Sequence, residues 1–155
     1  MKALEVARYF ITLNKEQCLD EPIDLSKLKL QKLLYYAQGY YTALFNKPLF
    51  EENIEAWEHG PVVREIYDAL KHIEGIYIPT NIYAMSDSEI DLLDKNAKEL
   101  IEDVFSVMGQ YSAWKLRERT HNESPWENNY EKGQNKLIPL EDIKSYFKPY
   151  VNVQN

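Results

Sequence analysis

Ser26-Lys27-Leu28-Lys29-Leu30-Gln31-Lys32-Leu33-Leu34-Tyr35-Tyr36-Ala37-Gln38-Gly39-Tyr40-Tyr41-Thr42-Ala43-Leu44-Phe45 is the stretch that decides the fold. Leu30, Leu33, Leu34, Ala37, Tyr41 and Leu44 recur at helical spacing on one face, while Leu28, Tyr35, Gly39 and Ala43 fall on the opposite side. A helix that is apolar nearly all round is either central to its own domain or buried against a partner on its second face. Tyr35, on that second face, is therefore a candidate anchor for a partner as well as for a core. Gly39 costs about 1 kcal/mol relative to Ala inside a helix unless a close neighbour requires it. Asp24 or Ser26 is the expected cap after the break at Asp20-Glu21-Pro22-Ile23, and Asn46-Lys47-Pro48 is the expected stop.

Outward from this helix the pattern stays mostly helical. Ala3, Leu4, Ala7, Phe10 and Ile11 predict a first amphipathic helix ending near Asn14. Ile54, Ala56 and Glu58 alternate with Glu55, Trp57 and His59, which suits a short strand, and Lys136-Leu137-Ile138-Pro139 is a fitting edge partner for residues 54–58. Gly60-Pro61 predicts the start of a third helix with Val63, Ile66, Tyr67, Leu70 and Ile73 as its buried stripe. Ser86 and Glu89 form a capping box ahead of a helix running to Met108, about five turns long, with Glu99, Glu102 and Asp103 on its acidic outer face. Ser112 begins a short helix, Ser124-Pro125-Trp126-Glu127 reads as a second capping box, and Leu140, Ile143 and Phe147 mark a last helix. The expected fold is mainly α: a compact single-domain helical bundle over residues 1–155, around a central apolar helix, with place for a small two-stranded β element.

At 155 residues, 45% hydrophobic and 28% charged, the chain can bury a core without disulfides or metals. Its net charge of −7 is spread over both halves and lacks the clustered cations that phosphate-backbone binding requires, so no direct nucleic-acid partner is expected. Cys18 stands alone, which excludes an internal disulfide and fits a reducing compartment. Charge interrupts the N-terminus early and no apolar run reaches the ~20 residues of a membrane span, so the expected location is the cytoplasm, away from membranes. Twelve Tyr and three Trp exceed what a small core needs and favour a protein-binding surface.

Motifs for bond-making chemistry are sparse. His59, His72 and His121 do not stand at metal-ligand spacing, and the five single glycines build neither a phosphate loop nor a dinucleotide fingerprint. No nucleophile elbow is present, and Cys18 has no flanking cations to stabilise a thiolate. The expectation is no catalytic residues, no metal and no cofactor, with a small hydrolase built from His59, His121 and a carboxylate as the enzymatic alternative.

Three stretches remain: Leu28-Lys29-Leu30-Gln31-Lys32-Leu33-Leu34-Tyr35-Tyr36-Ala37-Gln38, then Glu55-Ala56-Trp57-Glu58-His59-Gly60-Pro61-Val62-Val63, then His121-Asn122-Glu123-Ser124-Pro125-Trp126. In this order the chain resembles the SocA-like antitoxins, also called the Panacea domain, from about Leu4 to Phe147. The resemblance implies a mostly helical protein that neutralises a cognate protein toxin by direct binding, with unrelated toxins paired to different members. In one member neutralisation runs through a protease, which makes an ATP-dependent protease a second implied partner and protease adaptor an alternative role. The motif residues Lys32, Tyr35, Tyr36, Gln38, Trp57, His59, Gly60, Pro61, His121 and Trp126 are the candidates for partner contact or for maintaining the fold. One departure is Arg64, where many members carry proline. The mode of binding expected from composition is an aromatic surface with an acidic surround that covers a basic surface of the toxin.

Overall fold

The apolar stretch forms helix α2, Lys27–Phe45, and the rest of the chain is wrapped around it. The computed structural model describes residues 1–17 and 24–151, so the expected break at Asp20-Glu21-Pro22-Ile23 and the reading of Cys18 lie outside the described residues. Ser26 caps α2, its hydroxyl accepting from Lys29 N, and Asn46 ends it in the left-handed conformation. Leu30 to Gly39 are buried without interruption, which settles the central position of this helix.

Helix α1, Ala3–Gln17, packs on α2 and runs one turn beyond the expected end at Asn14. Residues Ile54–Trp57 form β1, Gly60–Val63 form β2 and Lys136–Ile138 form β3, giving an antiparallel sheet of order β2-β1-β3. The expected pairing of residues 54–58 with Lys136-Leu137-Ile138 is present, with Ile54 opposite Ile138 and Ala56 opposite Lys136. The third strand corrects the sequence reading. Gly60-Pro61 does not open a helix: Gly60 has φ +111°, which closes a two-residue turn over Glu58-His59, and β-branched Val62 and Val63 continue an extended edge strand. Helix α3, Arg64–Leu70, starts only after it.

Helix α4, Thr80–Tyr83, leads into α5, Asp87–Asp91, where the expected capping box of Ser86 and Glu89 is formed. The single five-turn helix expected from there is instead broken. Asp94 accepts a hydrogen bond from Ala97 N and starts a separate helix, α6, Lys95–Met108, because an Asp at this point caps better than it continues. Helix α7, Ala113–His121, is capped by Ser112. In α8, Ser124–Glu127, the cap position is Glu123 and not Ser124, and no side chain caps it. Helix α9, Leu140–Phe147, then closes the far side of α2. The fold is mainly α with one small sheet, and no helix among the described residues is long and apolar enough to cross a membrane.

Gly39 is where α9 reaches α2. A Cβ on Gly39 would lie 2.2 Å from Phe147 Cε2, and the Phe147 ring stacks edge-on with Tyr35, Tyr36 and Tyr40 at centroid distances of 5.5, 5.9 and 4.8 Å. The helix penalty of Gly39 is thus offset by an aromatic contact that any side chain would block.

Candidate partner-binding site

The polar residues of α2 are buried because they serve the backbone of neighbouring segments. Gln31 Nε2 donates to Val63 O at 3.2 Å while its Oε1 accepts from Val63 N at 2.8 Å, and Lys32 Nζ donates to Pro61 O at 2.9 Å. Strand β2 is an edge of the sheet, and these two side chains supply partners that a further strand would have supplied. Gln38 does the same for the loop after α2, accepting from Leu49 N at 2.8 Å and donating to Phe50 O at 2.8 Å.

The third motif is tied to the same helix through Glu123, a buried carboxylate. It accepts from Tyr35 OH at 3.0 Å and from Tyr36 OH at 2.8 Å. Burial raises the Glu123 pKa above the usual carboxylate range, and the two tyrosine hydrogen bonds and Arg119 partly offset this. Burial and the Glu123 charge push both tyrosines well above their ordinary value. Because its carboxylate is held inward, Glu123 cannot cap α8. Two residues further on, Trp126 Nε1 donates to Trp57 O at 2.7 Å, and the Trp126 ring is stacked between His121 at 3.9 Å and Tyr130 at 4.5 Å. All three motifs therefore meet in one hydrogen-bonded cluster.

Cations gather at the junction. His59 Nδ1 accepts from Arg117 Nε at 3.1 Å, which leaves the proton of the neutral ring on Nε2. Lys32 is fully buried, and burial together with the nearby Arg117 brings its pKa down to about 7. Burial, then Arg117, Lys32 and His59, hold His121 below the ordinary histidine value, and its buried Nε2 has no hydrogen-bond partner. Gly60 has to be glycine here on two counts: its positive φ, and a Cβ that would sit 2.7 Å from Lys32 Cε and 2.9 Å from Thr120 Oγ1.

Beside this junction the packing stops. A groove of about 710 Å³ opens between the first turns of α2, the β1–β2 hairpin, α3 and the segment Tyr130–Asn135. Leu28, Val62, Ile66 and Leu70 form its apolar wall and Trp57, Tyr67 and Tyr130 its aromatic side. Trp57 is fixed by a 4.7 Å contact with Tyr67 and by a hydrogen bond from Nε1 to Glu55, which in turn pairs with Arg64 at 2.8 Å. Arg64, the departure noted in the sequence, thus holds the groove wall, its guanidinium 5.4 Å above the Trp57 ring.

Of the motif residues singled out in the sequence, Lys32, Tyr35, Tyr36 and Gln38 are buried, as are Gly60 and Pro61. Tyr35, a candidate anchor for a partner as well as for a core, is fully buried in this fold. Trp57, His121 and Trp126 are partly exposed and His59 is exposed, with Trp57 and His59 on the groove. Sequence reasoning missed Gln31 and Glu123, both inside stretches that were quoted, where a polar residue on a buried helix and a carboxylate beside Pro125 were the available signals. Among the described residues, neither His59 nor His121 hydrogen-bonds to a carboxylate, and no group of three or more His, Cys, Asp or Glu is placed to hold a metal ion.

The helical domain uses its distinctive polar residues internally and leaves an apolar groove open beside them. The chain belongs to the SocA-like antitoxin, Panacea-domain family, whose model matches residues 30–127. It is 35% identical over 126 residues to Antitoxin SocA of Caulobacter vibrioides (strain NA1000 / CB15N), across 76% of this chain and 65% of that relative. The chain thus spans just under two thirds of the length of the curated relative it matches. No solved structure matches the chain.

Proposed function

We propose that this protein neutralises a cognate protein toxin by direct binding, and that it does so as an occluding partner without chemistry of its own. The observation that carries this reading is the match to the SocA-like antitoxin family over residues 30–127, which hold the motif residues from Lys32 to Trp126, together with the likeness to Antitoxin SocA. The open groove supports it, since a contiguous apolar surface left uncovered beside a packed core marks an interaction site. His59 and His121 favour this over hydrolysis, because one is engaged by Arg117 and the other is stacked on Trp126, leaving neither with the carboxylate that would orient a general base.

Co-expression with the product of an adjacent reading frame tests the proposal. An occluder protects by mass action, so growth is expected to be restored in a wild-type host and equally in a host lacking its ATP-dependent proteases. Rescue confined to the wild-type host would replace occlusion by delivery to a protease. Failure to rescue against every neighbouring product, with both proteins expressed and folded, would overturn the antitoxin reading.

A further inference from the structure

The groove carries a charge opposite to that of the molecule around it. The chain has 25 Asp and Glu against 18 Lys and Arg, yet the groove is lined by Lys27, Lys32, Lys71 and Lys132, with Glu58 as its single lining carboxylate among the described residues. Arg117, whose guanidinium donates to His59 from behind, adds to the positive end. Lys71 is exposed and paired only loosely, 3.6 Å from Asp68, and Lys27 Nζ donates to the Ile73 carbonyl at 2.5 Å. Between these cations lie Leu28, Val62, Ile66 and Leu70, so an occupant must bring apolar side chains as well as negative charge.

We propose that the groove is the seat of an acidic, apolar-flanked segment of the partner protein. Its apolar side chains lie on the α2 and α3 wall, and its carboxylates meet the lysines at the rim. This assignment rests on the antitoxin reading and deepens it by naming the chemistry of the contacting segment. It also reverses the sign expected from overall composition, in which an acidic surface would cover a basic one. The physical basis is local. Exposed charges act over about 10 Å at 0.1 M salt, so what a docking segment meets is the rim of the groove and not the net charge of the chain. Apolar burial then supplies affinity while the cations select against neutral and basic segments of the same shape.

The test uses the whole chain and a displayed library of random peptides. The double variant Lys71→Glu/Lys132→Glu serves for counter-selection, because both side chains are exposed and outside the core. Enriched peptides are expected to place Asp or Glu beside Leu, Ile, Phe or Trp. Synthesised singly, they are expected to bind the double variant at least roughly tenfold more weakly than the wild type, with an affinity that falls as salt is raised. Enrichment without acidic residues, equal binding to the two proteins, or no peptide that survives counter-selection would each overturn the proposal. The growth assay separates the two levels of the account. If the double variant rescues as well as the wild type, the groove assignment falls and the antitoxin reading stands; if the wild type itself fails to rescue, the antitoxin reading falls.

Discussion

The first turn of α2, its open end, and the stretch 35–43, its closed end, are in opposite states, and beyond the latter Leu44 and Phe45 are exposed again, with Tyr40 and Leu44 on a smaller groove of about 310 Å³. From Tyr35 to Ala43 the helix is closed over, with Tyr40 alone half-buried, and α9 is pressed so tightly onto Gly39 that no side chain fits between. From Lys27 to Lys29 it is only half-buried, and Leu28 and Gln31 border an open groove. What differs is the cover: aromatic rings from α9 seal one end, whereas the other has a short hairpin and a short helix that stop before meeting the 130–135 segment. An all-round apolar helix is thus both a core element and the wall of a site, at different points along its length.

Breaking the closed end is expected to have the largest effect. Tyr35→Ala removes a fully buried ring that touches Tyr36 and Phe147 and deprives Glu123 of a hydrogen bond, so a loss of about 3–5 kcal/mol in urea unfolding is expected. A loss below about 1 kcal/mol would mean that this end is not sealed as described. Gly39→Ala is a sharper probe, since helix propensity alone would stabilise by about 1 kcal/mol whereas displacement of the Phe147 ring costs about 1–3 kcal/mol. Net destabilisation is expected. A higher unfolding midpoint would show that the ring yields freely.

At the junction between the two ends, Lys32 makes stability depend on pH. Its folded pKa of about 7 lies below the unfolded value, so between about pH 7 and pH 10 the unfolded chain binds more protons and stability is expected to rise with pH, by at most roughly 1.4 kcal/mol per unit. Below pH 7 this contribution is flat. Lys32→Met is expected to remove the slope whatever it does to the absolute stability, because Met also forfeits the hydrogen bond to Pro61 O. An unchanged slope would place the titrating group elsewhere.

The smallest effect on stability is expected at the open end. Lys71→Glu and Lys132→Glu lie on exposed rim positions, and each is expected to shift the unfolding free energy by less than about 0.5 kcal/mol. A large loss from either would make the rim a structural feature.

How much of this was legible in the sequence follows the same division. Periodicity located α2, and the alternation at Ile54 to Glu58 with the run at Lys136 located two strands and their pairing, because these signals are local. The strand at Gly60–Val63 was hidden, since a glycine followed by proline suits a helix start as well as a hairpin turn, and only the tertiary ladder decides between them. The break at Asp94 was hidden by the apolar stripe that runs through it. Lys32, Tyr36 and Gln38 could be singled out as unusual, but their use as backbone and carboxylate partners depends on segments up to 87 residues away. The groove was not legible at all. Its lysines, at positions 27, 32, 71 and 132, are scattered through an acidic chain and come together only in the fold.

The central claim is that the partner is held at the open end of α2 while the closed end only supports it. Amide hydrogen exchange of the whole chain, with and without a partner protein identified by the growth assay, tests this most directly. Added protection is expected in residues 57–71 and 130–135, around the groove, with residues 36–45 and α9 unchanged. Protection confined to α6 or α9, with the groove segments exchanging as in the free protein, would contradict it.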